Sequence, residues 1–433
     1  MEGGLMEEHG VPAGEFDQTP EALLAMVLQD PGGLEDPQGL LAPVREQCPV
    51  FPGPYGVFMV TGYDEAKAIY ADHVCFSSAA AAAGEGDGYK LYADSDEQAH
   101  AAETIVKRTM FTNDEPDHSR MRRLARESFS VKEIAARQPM IDRITAELID
   151  EVKGLESFDV VRSLGYPLPE QVICEILGVS YEDFEDLEAW SRVITHFPRT
   201  RPPTQEEALE MMAVSQKAYD YYAELIDARK EHVGDDVVSQ LVAANADGEV
   251  TKDELIANLS TLIAGGHDTT ANMVVNGLYW LLKSPEEYRK LREDPSLVPS
   301  AIEEMLRIEP SAPFPFPRCP LEKKELAGVE IPEGASIVLA NHAAGRDPQR
   351  FSDPDRFDVT RYAERGAPPH LAFGFGIHRC LGENLARAEL RSMFHAIVTE
   401  LPELELVERG EWQHGFFRHL GSLVVAPKLG AER

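Results

Sequence analysis

The segment FGFGIHRCLG (373–382) sets Cys380 behind a glycine-rich loop and ahead of a helical stripe formed by Ala386, Leu390, Met393 and Ile397. A cysteine at or just before a helix N-terminus meets unpaired N–H groups and the positive end of the helix dipole, which favour thiolate over thiol. That suits a nucleophile or a soft metal ligand, and an inert buried cysteine is the bland alternative. A nucleophile needs a base, for which His378 is the one candidate nearby in sequence; a zinc site needs three further ligands that the chain does not assemble around it. A lone thiolate on haem iron needs no other protein ligand, because the porphyrin supplies four nitrogens, and is the most economical of these.

A second chemical cluster is Gly265-Gly266-His267-Asp268-Thr269-Thr270, an acid beside an alcohol inside an otherwise apolar helical pattern. Two glycines cost about 1 kcal/mol each in a helix interior, and a buried aspartate costs more unless paired. Either the helix surfaces here and the run is solvated, or it opens locally around a ligand and presents the acid and alcohol to it.

The elements that must hold these groups are legible around them. Residues 251–283 predict one helix of about 33 residues, some 50 Å long, with a Thr251/Glu254 capping box at its start. Ser284-Pro285-Glu286-Glu287 predicts a second box opening the next helix. Residues 55–72 read as strand, turn and helix, 334–341 as a strand, and 300–310 as a helix on which Glu304 and Arg307 are spaced as an ordinary surface pair. The low-complexity stretch 78–98 reads as a surface insertion.

Over 433 residues no linker or repeat divides the chain, so one domain spanning 1–433 is expected, with 1–20 a flexible N-terminal segment. A 43% hydrophobic and 27% charged composition is that of a soluble globular protein. The N-terminus has neither a basic start nor an apolar run, which predicts no signal peptide or membrane anchor and a cytoplasmic location. A formal charge of −34 disfavours nucleic acid and anionic membranes as partners. Five scattered cysteines (Cys48, Cys75, Cys174, Cys319, Cys380) without a Cys-x-x-Cys argue against a disulfide framework or zinc knuckle. Within this acidic chain Arg120, Arg122, Arg123 and Arg126 cluster, and Arg379, Arg387 and Arg391 follow the opening motif.

Taken together, these motifs resemble the cytochrome P450 family, specifically its bacterial soluble members. FGFGIHRCLG matches the Phe-x-x-Gly-x-His/Arg-x-Cys-x-Gly haem signature. AGGHDTT resembles the acid–alcohol signature, Glu304-x-x-Arg307 the Glu-x-x-Arg motif, and Pro354-Asp355-Arg356-Phe357 the Pro-x-Arg-Phe motif. NDEPDHSRMRRL (113–124) is similar to the bacterial helix that meets the haem. Two departures stand out: 341–351 keeps only the latter part of Asn-Arg-Asp-Pro, and 310–318 is unusually rich in proline.

The resemblance implies a mainly α fold with small β-sheets, in which haem b is sandwiched between the long central helix and the cysteine loop with its helix. It implies Cys380 as the axial iron ligand, and His118, Arg122, Arg318 and His378 as partners of the haem propionates. Asp268 and Thr269 become the catalytic pair that supplies protons for dioxygen cleavage, and Glu304, Arg307 and Arg356 a structural ion-pair network. The substrate pocket is then walled by the 78–98 and 193–210 regions, 263–270, 312–316 and 415–422. Its candidate residues include Ile263, Gly265, Thr270, Phe314, Phe316, Phe416 and Phe417, with Arg418 or His419 for a polar substrate group. The implied activity is monooxygenation of a small organic molecule, hydroxylation by default. Electrons would come from a ferredoxin, docked on the clustered arginines, and its NAD(P)H-dependent reductase. A carrier-bound substrate is compatible. Competing readings are a peroxide-dependent peroxygenase, against which the intact acid–alcohol pair argues, and a non-catalytic haem sensor or carrier.

Overall fold

The computed structural model describes residues 35–53, 56–84, 93, 95–196, 204–364, 366–413 and 417–428. The N-terminal segment 1–20, Phe416, and residues 85–92 and 197–203 of the two expected pocket-wall regions lie outside these.

The chain is mainly α-helical with small sheets. Strands β1 (Val50–Pro52) and β2 (Val57–Val60) pair antiparallel, and a turn leads from β2 into helix α1 (Tyr63–Ala71). Helices α2 (Ser78–Gly84), α3 (Asp96–Lys107), α4 (Asp117–Arg126) and α5 (Val131–Val152) follow, then strand β3 (Phe158–Asp159). Next come α6 (Pro167–Leu177), α7 (Phe184–His196), α8 (Gln205–Glu231), α9 (Lys252–Gly266), α10 (Asp268–Lys283) and α11 (Val298–Ile308). Strand β4 (Ser336–Leu339) returns to pair parallel with β2, and helix α12 (Glu383–Glu400) precedes β5 (Leu404–Arg409) and β6 (Leu423–Pro427), which build a sheet in the order β3-β6-β5.

Two expectations fail locally. The 78–98 stretch, expected as an unpacked surface insertion, begins as α2, whose entry is fixed when Asp114 accepts hydrogen bonds from the Ser77 hydroxyl and from the Ser78 amide at 2.9 Å. Ser284 makes no side-chain cap although Pro285 does open the next helix. Glu287, which would close that box, is buried and accepts instead from the Val359 amide (3.2 Å) and Lys290 (2.7 Å).

The predicted 251–283 helix is present as two helices. Its capping box forms as expected, Thr251 and Glu254 exchanging side-chain and backbone bonds. The helix is interrupted at His267, whose φ widens to −112° (ψ −57°) within the right-handed helical region, between α9 and α10. Apolar residues on several faces, among them Leu259, Val274 and Leu278, are fully buried with Ile144 and Leu148 of α5, Met305 of α11 and Phe394 of α12. These two helices therefore cross the largest apolar core, and their break is held at depth.

Candidate functional site

The α9–α10 break and the cysteine loop line the same cavity. Gly265, Gly266, Thr269 and Thr270 contribute from the break, and Cys380, Leu381 and Gly382 from the loop, to a cavity of about 280 Å³ that is partly open to solvent. That lies near the lower end of the usual range for ligand pockets, about 300–1000 Å³. The polar run is thus not a solvated helix face: His267, Asp268 and Thr270 are buried, and Gly265 and Thr269 face the cavity.

The loop is shaped by glycine. Gly374 and Gly376 have φ of +67° and +75°, and a Cβ at Gly376 would lie 2.2 Å from the Tyr70 carbonyl oxygen. No side chain fits there. The turn closes as the Cys380 amide donates to the Phe373 carbonyl at 2.9 Å, and α12 starts at Glu383, three residues after the sulfur. The expected easing of thiol ionisation at the helix start is outweighed: burial pushes the Cys380 pKa up, against the Gly382 amide and the charges of Arg122 and Arg387.

Beside the cysteine the structure gathers cationic and hydrogen-bonding side chains with few acids to answer them. The His118 and His378 rings lie 4.1 Å apart, and Arg318 is buried. Burial first, and then the charges of Arg318, His118, Arg122 and His73, drive the His378 pKa down to about 2. Arg122 Nη1 and His378 Nδ1 are buried without a hydrogen-bond partner, and Arg318 donates to the Phe316 and Pro317 carbonyls at 3.0 Å. Among the described residues no carboxylate lies within salt-bridge distance of Arg122 or Arg318. Buried guanidinium groups require anions. A cofactor bearing two carboxylates, with a metal for the Cys380 sulfur to ligate, fits this donor set. His118 contributes differently from expectation: Nδ1 lies 2.7 Å from the Met110 carbonyl and Nε2 3.0 Å from that of Ile377, so the ring ties the 110 segment to the cysteine loop.

Of the pocket candidates, Gly265, Thr270, Phe316 and Phe417 line the cavity. Phe314 instead packs with Leu41, Val44 and Met59 in a separate core, and the Ile263 side chain is buried in the main one. Arg418 points away from the cavity as well, bonding Glu309 at 2.8 Å with both side chains almost fully buried. Residues that the sequence reading passed over include Phe111, Ile173, Thr261, Leu262 and Met273. Thr261, Gly265 and Thr269 are spaced four apart, so one helical stripe carried that signal.

The expected ion-pair network exists with one member changed. Glu304 and Arg307 are fully buried and bonded twice at 2.7 Å, because their helix face packs onto the 345–361 segment and not onto water. The second guanidinium on Glu304 is Arg361, at 3.0 Å; Arg356 offers its carbonyl to Arg307, while its exposed side chain reaches toward Glu287 at 3.8 Å. The arginine cluster is partly self-neutralised. Arg120 pairs with Glu254, Arg123 with Glu249, Arg379 with Glu383, and Arg387 with Glu303 and Glu383. Arg122, Arg123 and Arg126 line a surface groove that reaches Cys380.

One acid in the cavity wall was not foreseen. Glu389 of α12 is fully buried, neither carboxylate oxygen has a well-aligned hydrogen-bond partner, and burial raises its pKa from 4.5 to about 8, the nearby Thr270 hydroxyl offsetting only part of the shift. Between those two pH values the folded state keeps a proton that the unfolded chain releases, so stability falls as pH rises through this window. Glu389→Gln is expected to abolish that slope and to gain on the order of 2 kcal/mol at its alkaline end. Thermal unfolding of both proteins across the window checks it, and parallel pH profiles would refute it.

Among the described residues no helix is long and apolar enough to cross a membrane. The family model described as Cytochrome P450 matches residues 50–413. The chain is 35% identical over 378 residues to the 6-deoxyerythronolide B hydroxylase of Saccharopolyspora erythraea, covering 84% of this chain and 88% of that protein. It is 34% identical to the nocardicin C N-oxygenase of Nocardia uniformis, covering 86% and 91%. Among solved structures it is similar to P450BioI bound to hexadec-9Z-enoic acid-ligated acyl carrier protein, with a TM-score of 0.81, 30% identity and coverage of 93% and 99%.

Proposed function

The chain belongs to the cytochrome P450 family, and from that premise we propose that it is a haem-thiolate monooxygenase that inserts one oxygen atom of dioxygen into a small, largely apolar organic molecule, most simply as a hydroxylation. The observation that carries this is the one cavity shared by Cys380 and Thr269 beside the guanidinium groups of Arg122 and Arg318 and the neutral, hydrogen-bonding His378 ring. Haem b, when bound, supplies dioxygen binding and its reductive cleavage. Cys380 would ligate its iron, and Arg122, Arg318 and His378, with His118 bracing the loop, would hold its carboxylates.

Thr269 donates its hydroxyl hydrogen to the Gly265 carbonyl at 2.9 Å. Its oxygen lone pairs are then left to accept, and they hold a proton-bearing water against the cavity wall. Asp268 does not line the cavity; it sits behind Thr269, buried, and serves as the proton store. Leu262, Ile173, Phe111, Phe316 and Phe417 keep water out of the remaining wall. Thr261 and Ser311 are among the few polar side chains there, which suits a substrate with few polar groups.

Electrons would arrive from an acidic ferredoxin and its NAD(P)H-dependent reductase at the groove of Arg122, Arg123 and Arg126, in the cytoplasm. An acyl chain on a carrier protein is a second substrate class, favoured by the likeness to the carrier-bound P450BioI complex. A peroxygenase or a haem sensor has no use for an acid–alcohol pair at a helix break.

The test is turnover under 18O-labelled dioxygen with a surrogate ferredoxin couple, using compounds first found by spectral titration. One labelled oxygen in the product is expected. Thr269→Ala should divert about tenfold more of the electrons into peroxide. Unlabelled product, or unchanged coupling, would count against the proposal.

A further inference from the structure

At the break between α9 and α10 a histidine side chain takes up a backbone acceptor. His267 is fully buried, with the Phe184 ring edge-on at 5.3 Å. Its Nδ1 lies 2.8 Å from the Ile263 carbonyl oxygen. A carbonyl only accepts, so Nδ1 carries a hydrogen and the tautomer is pinned. The other nitrogen, Nε2, has no well-aligned hydrogen bond, and an oxygen it faces is Oδ1 of Asp268, 3.3 Å away. In a neutral imidazole held this way Nε2 is a bare lone pair, and an ionised Asp268 would set a second acceptor against it in a buried place. Such a contact is repulsive unless one proton lies between the two atoms.

We propose that His267 and Asp268 hold one proton in common, and that His267 is a positioning residue that keeps this proton available to the Asp268–Thr269 pair. The inference rests on the monooxygenase reading for its purpose, but not for its geometry. Tyr166 and Glu170, at the start of α6, and Arg192 of α7 are titratable groups coupled to the pair from neighbouring elements, and Glu188 of α7 is coupled to all three of them. Carboxylates outnumber the single guanidinium among them, which favours retention of the proton. When the shared proton is delivered toward the cavity, the Nε2–H bond breaks as an Oδ1–H bond forms, and that O–H bond then breaks as the proton passes to a water at the Thr269 hydroxyl, leaving Asp268 ionised. The imidazole is left neutral with its hydrogen on Nδ1. A proton from solvent, arriving past the partly exposed Glu188 and Arg192, restores the pair.

The experiment is histidine-selective 15N NMR of the reduced, carbon monoxide-bound holoenzyme at neutral pH, with His267 assigned as the resonance lost in His267→Gln. If that variant does not fold, the assignment comes from the resonance that changes in Asp268→Asn. Two protonated ring nitrogens are expected in the native protein, or a bare Nε2 accompanied by a protonated carboxyl in the infrared difference against Asp268→Asn. A ring that carries both protons in the native protein should lose one in Asp268→Asn and become neutral. A bare Nε2 beside an ionised Asp268, or a doubly protonated ring that keeps both protons in Asp268→Asn, overturns the inference. The carbon monoxide spectrum of the same sample decides the haem-thiolate reading separately, so the two failures are distinguishable.

Discussion

Replacing Cys380 by alanine is expected to leave a folded protein that has lost the thiolate-type band of its reduced carbon monoxide complex, and with it monooxygenase turnover, by at least about a thousandfold. The loop that carries the sulfur does not depend on it. Its closing bond runs from the Cys380 amide to the Phe373 carbonyl at 2.9 Å, and its turns rest on the positive φ of Gly374 and Gly376. Alanine keeps both features and removes only the sulfur. The cationic cluster would still hold the haem carboxylates, so binding should weaken less than chemistry. By contrast Gly376→Ala, whose Cβ would lie 2.2 Å from the Tyr70 carbonyl oxygen, should prevent haem incorporation with the sulfur still in the sequence. Absorption spectra of the three reduced proteins under carbon monoxide, with haem content measured in parallel, make the comparison. A thiolate-type band that persists in Cys380→Ala would refute the assignment of Cys380 as ligand.

What the sequence made legible was local. The Thr251/Glu254 box, the strand–turn–helix at 57–71 and the loop before α12 follow from capping, turn and glycine rules acting over a few residues. The α9–α10 break falls within the Gly265–Thr270 run where the sequence allowed the helix to open, but the residue at which it breaks was not legible. That depends on the His267 ring reaching the Ile263 carbonyl and on the Thr269 hydroxyl reaching that of Gly265, side-chain competition that propensities do not encode. The pocket was half legible for a related reason. Phe316 and Phe417 reach the cavity while Phe314, two residues from Phe316, turns into another core, and only the path of the 310–316 segment decides between them. Glu389 gave no signal, because on an amphipathic helix a glutamate reads as surface until the packing of α12 is known.

The second large effect concerns the acid that the sequence alone would have placed on the surface. Glu304 accepts from Arg307 through both oxygens at 2.7 Å, from Arg361 at 3.0 and 3.1 Å, and from the Asp358 amide at 2.9 Å, with its side chain wholly buried. Arg307 in turn donates to the carbonyls of Gly345, Pro354 and Arg356, so this one carboxylate holds α11 to the segment that leads into the cysteine loop. Glu304→Ala leaves two guanidinium groups in a buried site without their anion, a change that typically costs about 3–5 kcal/mol. A domain stable by only some 5–15 kcal/mol loses a large part of its margin in this way. Arg361→Ala should cost about 2 kcal/mol, since Arg307 still answers the carboxylate. Arg356→Ala should cost less than about 0.5 kcal/mol, because the Arg356 side chain is 57% exposed, its nearest acid oxygen is 3.8 Å away, and the carbonyl that Arg307 uses survives the substitution. Denaturant unfolding of the three variants orders them. A loss at Arg356 as large as that at Arg361 would mean that the arginine of the Pro-x-Arg-Phe motif, and not Arg361, completes the network in solution.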